Sequence, residues 1–265
     1  MQKPLILVTN DDGIKAPGIR ALVESASLFG EVVVVAPDSP QSGQGHAITI
    51  SKPITLRKSD VFEDIEAYAC SGTPVDCVKL AKSVVLKGRE IALCVSGVNH
   101  GSNASINILY SGTMSAAMEA SLEGIKSIGF SLLDFEYDAD FDSSKPFVQS
   151  LIKNVLDNGL KDTLLLNVNI PNLKTHEIKG IKLCRQADSR WDENFMEAED
   201  PRGQKYYWLT GEFRNDDTGT DTDIWALSNG YISVVPSMHD LTSHPAIENN
   251  KNLEDFIKNN QYEFQ

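Results

Sequence analysis

The chain has 265 residues, enough for one large α/β domain or two small ones, and its 41% hydrophobic and 23% charged residues describe an ordinary globular protein. A net charge of −13 argues against a basic surface for polymeric nucleic acid, while leaving room for a small phosphorylated ligand whose charge a cation offsets. No stretch approaches the roughly 18 consecutive apolar residues of a membrane span, and the N-terminal apolar run is too brief for a signal peptide. Cys70, Cys77, Cys94 and Cys184 form no CxxC pair, so reduced thiols in a cytoplasmic protein are expected.

In chain order, "PLILVT" (4–9) and "EVVVVAP" (31–37) are short β-branched runs that suit strands buried on both faces of a parallel sheet. Between them Ile19, Leu22, Val23 and Ala26 share one helical face, which predicts a βαβ unit. Thr73 as a cap and Pro74 at the first helical position open a second helix, with Cys77, Leu80, Ala81, Val84 and Val85 along one side. "IALCVS" (91–96) is another buried strand. Met114, Ala117, Met118, Ser121 and Leu122 mark a third helix, which Gly124 ends. "SIGFSLL" and "DTLLLNVNI" predict further strands around a helix near 146–157. Beyond about residue 180, "GQKYYWLTGEFRNDDTG" alternates and turns like a β-hairpin whose Tyr206, Tyr207 and Trp208 need cover, from their own domain or a second subunit. The last 18 residues read as an exposed helix and tail.

Ligands of an open parallel sheet collect at the carboxyl ends of its strands. Those ends carry "NDDG" (10–13), "PDSPQSGQGH" (37–46) and "GVNHGSN" (97–103), the last leading to "YSGT" (110–113) at a helix start. Carboxylates, hydroxyls, an amide and glycines together suit a hard cation and an anion. Adjacent Asp11 and Asp12 repel unless a cation or a proton sits between them or both face water. The helix start favours a phosphate, or is simply capped by Ser111 or Thr113. The EF-hand register, the dinucleotide glycine fingerprint, the P-loop and the serine elbow are all absent. The acidic stretch "NDDTGTDTD" (215–223) reads as a solvated turn rather than a second metal site. His46 and His100 flank the loops as candidate proton donors or as ordinary hydrogen-bonding residues.

"VTNDDG", "VAPDSPQSG", "GTPVDCV", "SGVNHGSN" and "YSGTMSAAMEA", in this order and spacing, resemble the SurE family of stationary-phase survival proteins, and "RQADSRW" with "KYYWLTGE" extends the likeness. The resemblance implies a Rossmann-like, mostly parallel α/β sheet flanked by helices, with a protruding C-terminal β-hairpin arm exchanged in homodimers or homotetramers. Laid on this chain, that is one domain: a core of about 1–180 plus 229–240, an arm of about 181–228, and a helix and tail of about 245–265. It also implies hydrolysis of nucleoside 5′-monophosphates, with 3′-monophosphates and short polyphosphate as further candidate substrates, and one Mg²⁺ or Mn²⁺ per subunit. The family's metal ligands fall on Asp11, Asp12, Ser42 and Asn99, with Asp11 or Asp12 as the catalytic base. Asn10, Gly43, Asn99, Ser111, Gly112 and Thr113 would surround the phosphate. Arg185, Gln186, Arg190 and Trp191 would contact the nucleoside or brace the arm. Ala104 and Ser105 depart from the pattern, because many members have a glycine after the corresponding asparagine. The alternative from another class is a nucleotide- and metal-binding regulatory module without turnover.

Overall fold

The computed structural model describes residues 3–259 apart from residue 137. The end of the expected C-terminal tail, 260–265, lies outside the described residues. β1 (Leu5–Thr9), α1 (Pro17–Ala26) and β2 (Glu31–Pro37) form the predicted βαβ unit, followed by the short strands β3 (Leu56–Lys58) and β4 (Glu66–Cys70). Then come α2 (Pro74–Leu80), β5 (Leu93–His100), α3 (Gly112–Leu122), β6 (Ser127–Leu132), α4 (Lys145–Asn158) and β7 (Leu165–Ile170). β8 (Ile181–Leu183) precedes the long pair β9 (Ser189–Glu199) and β10 (Lys205–Asn215), and α5 (Asp223–Ser228) leads into β11 (Ile232–Ser237). Two short helices, α6 (His244–Asn249) and α7 (Lys251–Asn259), close the described chain.

Among the described residues, nine strands make one sheet in the order β3-β4-β2-β1-β5-β6-β7-β11-β8. All neighbours from β4 to β7 run parallel. Strand alternation explains why β1 is apolar throughout. Ile6 and Val8 face one core with Ile19 and Leu22 of α1 and Val148 and Ile152 of α4. Leu5 and Leu7 face the other, with Cys77 and Val78 of α2 and Ala116 and Ala120 of α3. Each fully buried side chain of the Ile19 kind contributes roughly 1.5–3 kcal/mol. From β1 the chain first builds outward through β2 and β4, then returns to add β5 on the opposite side. The carboxyl ends of β1 and β5 therefore flank the switch in strand order, where open α/β sheets bind their ligands.

The hairpin differs from its sequence pattern. The stretch read as a complete hairpin, 203–219, supplies only its second strand, and β9 is the first, paired in register from Ser189↔Asn215 to Glu199↔Lys205. The strands that leave the sheet cover 189–199 and 205–215, a narrower span than 181–228: β8 extends the main sheet beside β11, and α5 packs on β11. Tyr207, Trp208 and Leu209 are exposed on this arm.

Candidate active site

β1 ends by delivering Asn10, Asp11 and Asp12 to the switch point, and β5 ends at Asn99 and His100. A cavity of about 400 Å³ opens there, lined by Asp11, Asp12, Ser42, Gly43, Asn99 and His100 on one side and by Asn107, Tyr110, Ser111 and Trp191 on the other. A larger hollow of about 680 Å³ lies across His100, where Lys15, Arg20 and Lys145 mix with Glu24, Asp140 and Asp142. Size alone does not select the site; the smaller cavity holds the unbalanced acids.

Asp11 is buried at 4% exposure, takes a hydrogen bond from the Thr113 hydroxyl, and packs so closely on Gly112 that a Cβ there would stand 2.6 Å from the Asp11 Cβ. Only glycine allows this approach of helix and carboxylate. Burial first, and the adjacent Asp12 second, push the Asp11 carboxyl up to about 6, against the Thr113 hydroxyl and nearby backbone amides that favour its charge. Asp12 is half-buried and more loosely held: the His100 amide lies 3.4 Å from Oδ2 and the His100 Nδ1 3.6 Å. The His100 ring is fixed edge-on to Phe141 at 4.7 Å.

The neutral residues are oriented too. Asn99 Nδ2 donates to the carbonyl oxygens of His100 and Gly101, both at 2.9 Å, which frees Oδ1 to face another ligand. Asn10 Nδ2 donates to Gly13 at 3.0 Å, while its buried Oδ1 has no partner. Ser111 Oγ caps α3 by accepting the Met114 amide at 3.0 Å. That bond leaves the Gly112 and Thr113 amides, at the positive end of the helix, beside Asp11. The cap reading of this helix start is the one its hydrogen bonds show.

Ser42 and Gly43 reach the rim on the exposed loop after β2. Among the described residues no three His, Cys, Asp or Glu side chains gather as a metal cluster. Two carboxylates with neutral hydroxyl and amide oxygens nevertheless fit a hard divalent cation, which takes oxygen ligands and retains water. Asn10, whose Oδ1 has no partner, does not line this cavity.

His46 and His100 part company. His100 lines the cavity, whereas His46 turns away to Glu119, its Nε2 2.9 Å from Oε2. The acidic stretch 215–223 is more than a solvated turn. Arg185 forks onto Asp217 at 2.6 and 2.9 Å and reaches Asp221 at 3.1 Å, and these two carboxylates hold its guanidinium above its ordinary range. Asp223 is fully buried and accepts the amides of Ser105 at 2.8 Å and Ala187 at 3.0 Å. Arg190 pairs with Asp216 at 2.8 Å on the arm, and the Gln186 carbonyl accepts from Arg185 at 3.3 Å. Of the four residues left open between nucleoside and arm, only Trp191 lines the cavity, its Nε1 donating to Asn107 Oδ1 at 2.8 Å.

Three asparagines brace the site from behind β5 and β6 through a hydrogen-bonded chain. Asn103 donates to Asn169 and Ser131 at 2.8 Å, and Asn167 donates to the Asn103 carbonyl at 2.9 Å. The period-two asparagines of "NVN" inside an otherwise apolar strand were the available signal.

The chain is similar to known proteins over most of its length. The family model for survival protein SurE matches residues 6–193. A protein named 5′-nucleotidase SurE from Flavobacterium psychrophilum is 59% identical over 249 residues, 94% of this chain and 96% of that one. One of the same name from Cytophaga hutchinsonii is 61% identical over 244 residues, 92% of this chain and 94% of that one. The crystal structure of the SurE protein from Aquifex aeolicus superposes with a TM-score of 0.82 at 42% identity, covering 95% of this chain and 100% of that one. With a family model over most of its length and relatives this similar, the chain belongs to the SurE family.

Proposed function

We infer that the chain is a metal-dependent 5′-nucleotidase, hydrolysing nucleoside 5′-monophosphates to nucleoside and phosphate. The observation that carries this is the abutment of Asp11 on Gly112, which sets a carboxylate pair against the amide end of α3. The relatives named as nucleotidases support it and do not favour a regulatory module without turnover. Asp11, Asp12, Ser42 and Asn99 would hold one Mg²⁺ or Mn²⁺, and Gly43, Ser111, Gly112 and Thr113 would surround the phosphate.

Phosphate monoesters hydrolyse so slowly that accelerations approach ~10²¹, whereas one acid or base supplies about 10² to 10⁴. Charge stabilisation and positioning must therefore dominate. A bound divalent cation supplies Lewis acidity and a more acidic water, and it neutralises the paired carboxylates. The Thr113 amide is engaged by Asp11, so the Gly112 amide and the positive end of α3 meet the charge on the phosphoryl oxygens. Asp11 is locked by Thr113, so the freer Asp12 carboxylate takes the proton of the attacking water. His100, 3.6 Å from Asp12, is placed to return a proton to the leaving nucleoside oxygen. The nucleoside extends past Tyr110 and Trp191, which the site shares with an adjoining apolar cavity of about 390 Å³ at the base of the arm.

The exposed Tyr207, Trp208 and Leu209 support a homo-oligomer built through the arm. Four unbridged cysteines suit a reducing cytoplasm, and no helix among the described residues is long and apolar enough to cross a membrane. The test is phosphate release from a panel of nucleoside 5′- and 3′-monophosphates and short polyphosphate with Mn²⁺, Mg²⁺ or EDTA. Release from 5′-monophosphates that EDTA abolishes is expected. A folded, metal-loaded protein that releases none contradicts the reading.

A further inference from the structure

Ser42 is the one proposed metal ligand with no hydrogen bond of its own among the described residues, and it rides an exposed loop without regular structure. What holds that loop is therefore what places the ligand. Upstream, the Gln41 amide donates to the Asp11 carbonyl at 2.8 Å. Between this anchor and His46, Gly43 and Gly45 adopt φ of 72° and 56°, and the Gly45 amide makes a long 3.2 Å bond to Tyr110. Downstream the fixation is dense: the His46 ring lies 2.9 Å from Glu119, Thr73 Oγ1 donates to the Ala47 carbonyl at 2.7 Å, and the Thr49 amide meets both Asp76 oxygens at 3.2 Å.

Glu119 stands out among these partners. It sits at 3% exposure on α3, the helix whose N-terminus abuts Asp11, and Lys79 of α2 takes its other carboxylate oxygen. A buried carboxylate with two cationic or hydrogen-bonding partners is costly to retain unless its placement matters. We propose that Glu119 is a positioning residue for the metal site: through His46 it fixes the downstream end of the Ser42 loop, so that α3 sets both the phosphate-facing amide and the hydroxyl ligand opposite it. This rests on the reading of Ser42 as a ligand given above. His46 then serves as the tether between loop and helix and gives no proton to substrate.

Outer partners that orient metal ligands typically change affinity by 10–100-fold when removed. The experiment is calorimetric titration of Mn²⁺ alone into the full chain and into Glu119→Ala, Glu119→Gln, His46→Ala and Lys79→Ala. Glu119→Ala and His46→Ala should each weaken Mn²⁺ by at least ~10-fold, and their double variant by no more than either. Glu119→Gln keeps an acceptor for His46 and should recover most of the affinity. Lys79→Ala leaves the tether in place and should bind as the parent does. At saturating Mn²⁺ the kcat of His46→Ala should return to within about threefold of the parent, whereas a lost proton donor would leave kcat down by about 10² or more. Exposed His46 carries the test should Glu119→Ala fail to fold. A folded His46→Ala protein with parental Mn²⁺ affinity overturns this inference alone; a parent chain that binds no Mn²⁺ overturns it together with the metal-dependent function.

Discussion

Asp11 is the residue on which sequence and chemistry meet. Its carboxyl is pushed up to about 6 by burial and by Asp12, against about 4 in an unfolded chain. A carboxyl raised on folding holds its proton more tightly in the native state, so the metal-free fold carries no penalty below pH ~4 and the full penalty, on the order of 3 kcal/mol, above pH ~6. In EDTA, Asp11→Asn should therefore melt several degrees above the parent at pH 8 and together with it at pH 4, as scanning calorimetry would show; equal melting at pH 8 would contradict the shift. Metal uptake should weaken as pH falls through about 6, because the ligand must ionise first. Gly112→Ala, whose Cβ would stand 2.9 Å from Asp11 Oδ2, should lower kcat/KM by more than 10²-fold with a stability loss of about 1–3 kcal/mol, read from kinetics and melting together. Ser105 holds a left-handed backbone, with φ of 53°, that a glycine would adopt without strain. Its hydroxyl offsets that strain by donating to the Ala187 carbonyl at 2.8 Å. Ser105→Gly should thus stay within ~1 kcal/mol of the parent, and Ser105→Ala, which keeps the strain and loses the bond, should cost about 1–2 kcal/mol by urea unfolding.

Among the elements, those buried on both faces were the legible ones. β1, β2, β5, α1 and α3 announce themselves by apolar runs or a helical face, and the polar motifs at their ends lie where the strand-end rule puts them. β9 was missed because the charge-rich "SRWDENFMEAE" lacks the aromatic run that marks β10, although both strands are exposed. The supporting shell was hidden for a different reason. Glu119 looks like a solvent residue on an Ala-rich helix, and Asp223 like one more acid in a turn, until tertiary contacts bury them. Trp191 and Tyr110 come together only when the arm returns to the helix start, a contact no local pattern encodes. Trp191→Ala should raise KM for nucleoside monophosphates by about 10-fold, since base–aromatic stacking contributes roughly 1–3 kcal/mol, and leave inhibition by inorganic phosphate unchanged.

At the scale of the whole molecule, Asp223 joins sheet, site loop and arm by accepting amides from Ser105 and Ala187. Asp223→Ala would strand those buried donors, and a loss of about 2–5 kcal/mol is expected from the unpaired groups together. Hydrogen exchange should localise the loosening to 102–107 and 185–190. The arm itself projects Trp208 and Leu209 into solvent. A native mass of two or four chains by light scattering is expected, falling when Trp208→Asp is introduced.

Asp11 and Asp12 are the proposed seat of a catalytic cation, so turnover should depend on the Asp11 carboxylate. The most direct measurement is phosphate release from adenosine 5′-monophosphate at saturating Mn²⁺, parent against Asp11→Asn, with folding of both checked by circular dichroism. A folded Asp11→Asn protein with turnover down by at least 10³-fold is the predicted result. Parental turnover from that variant would contradict the assignment of the site.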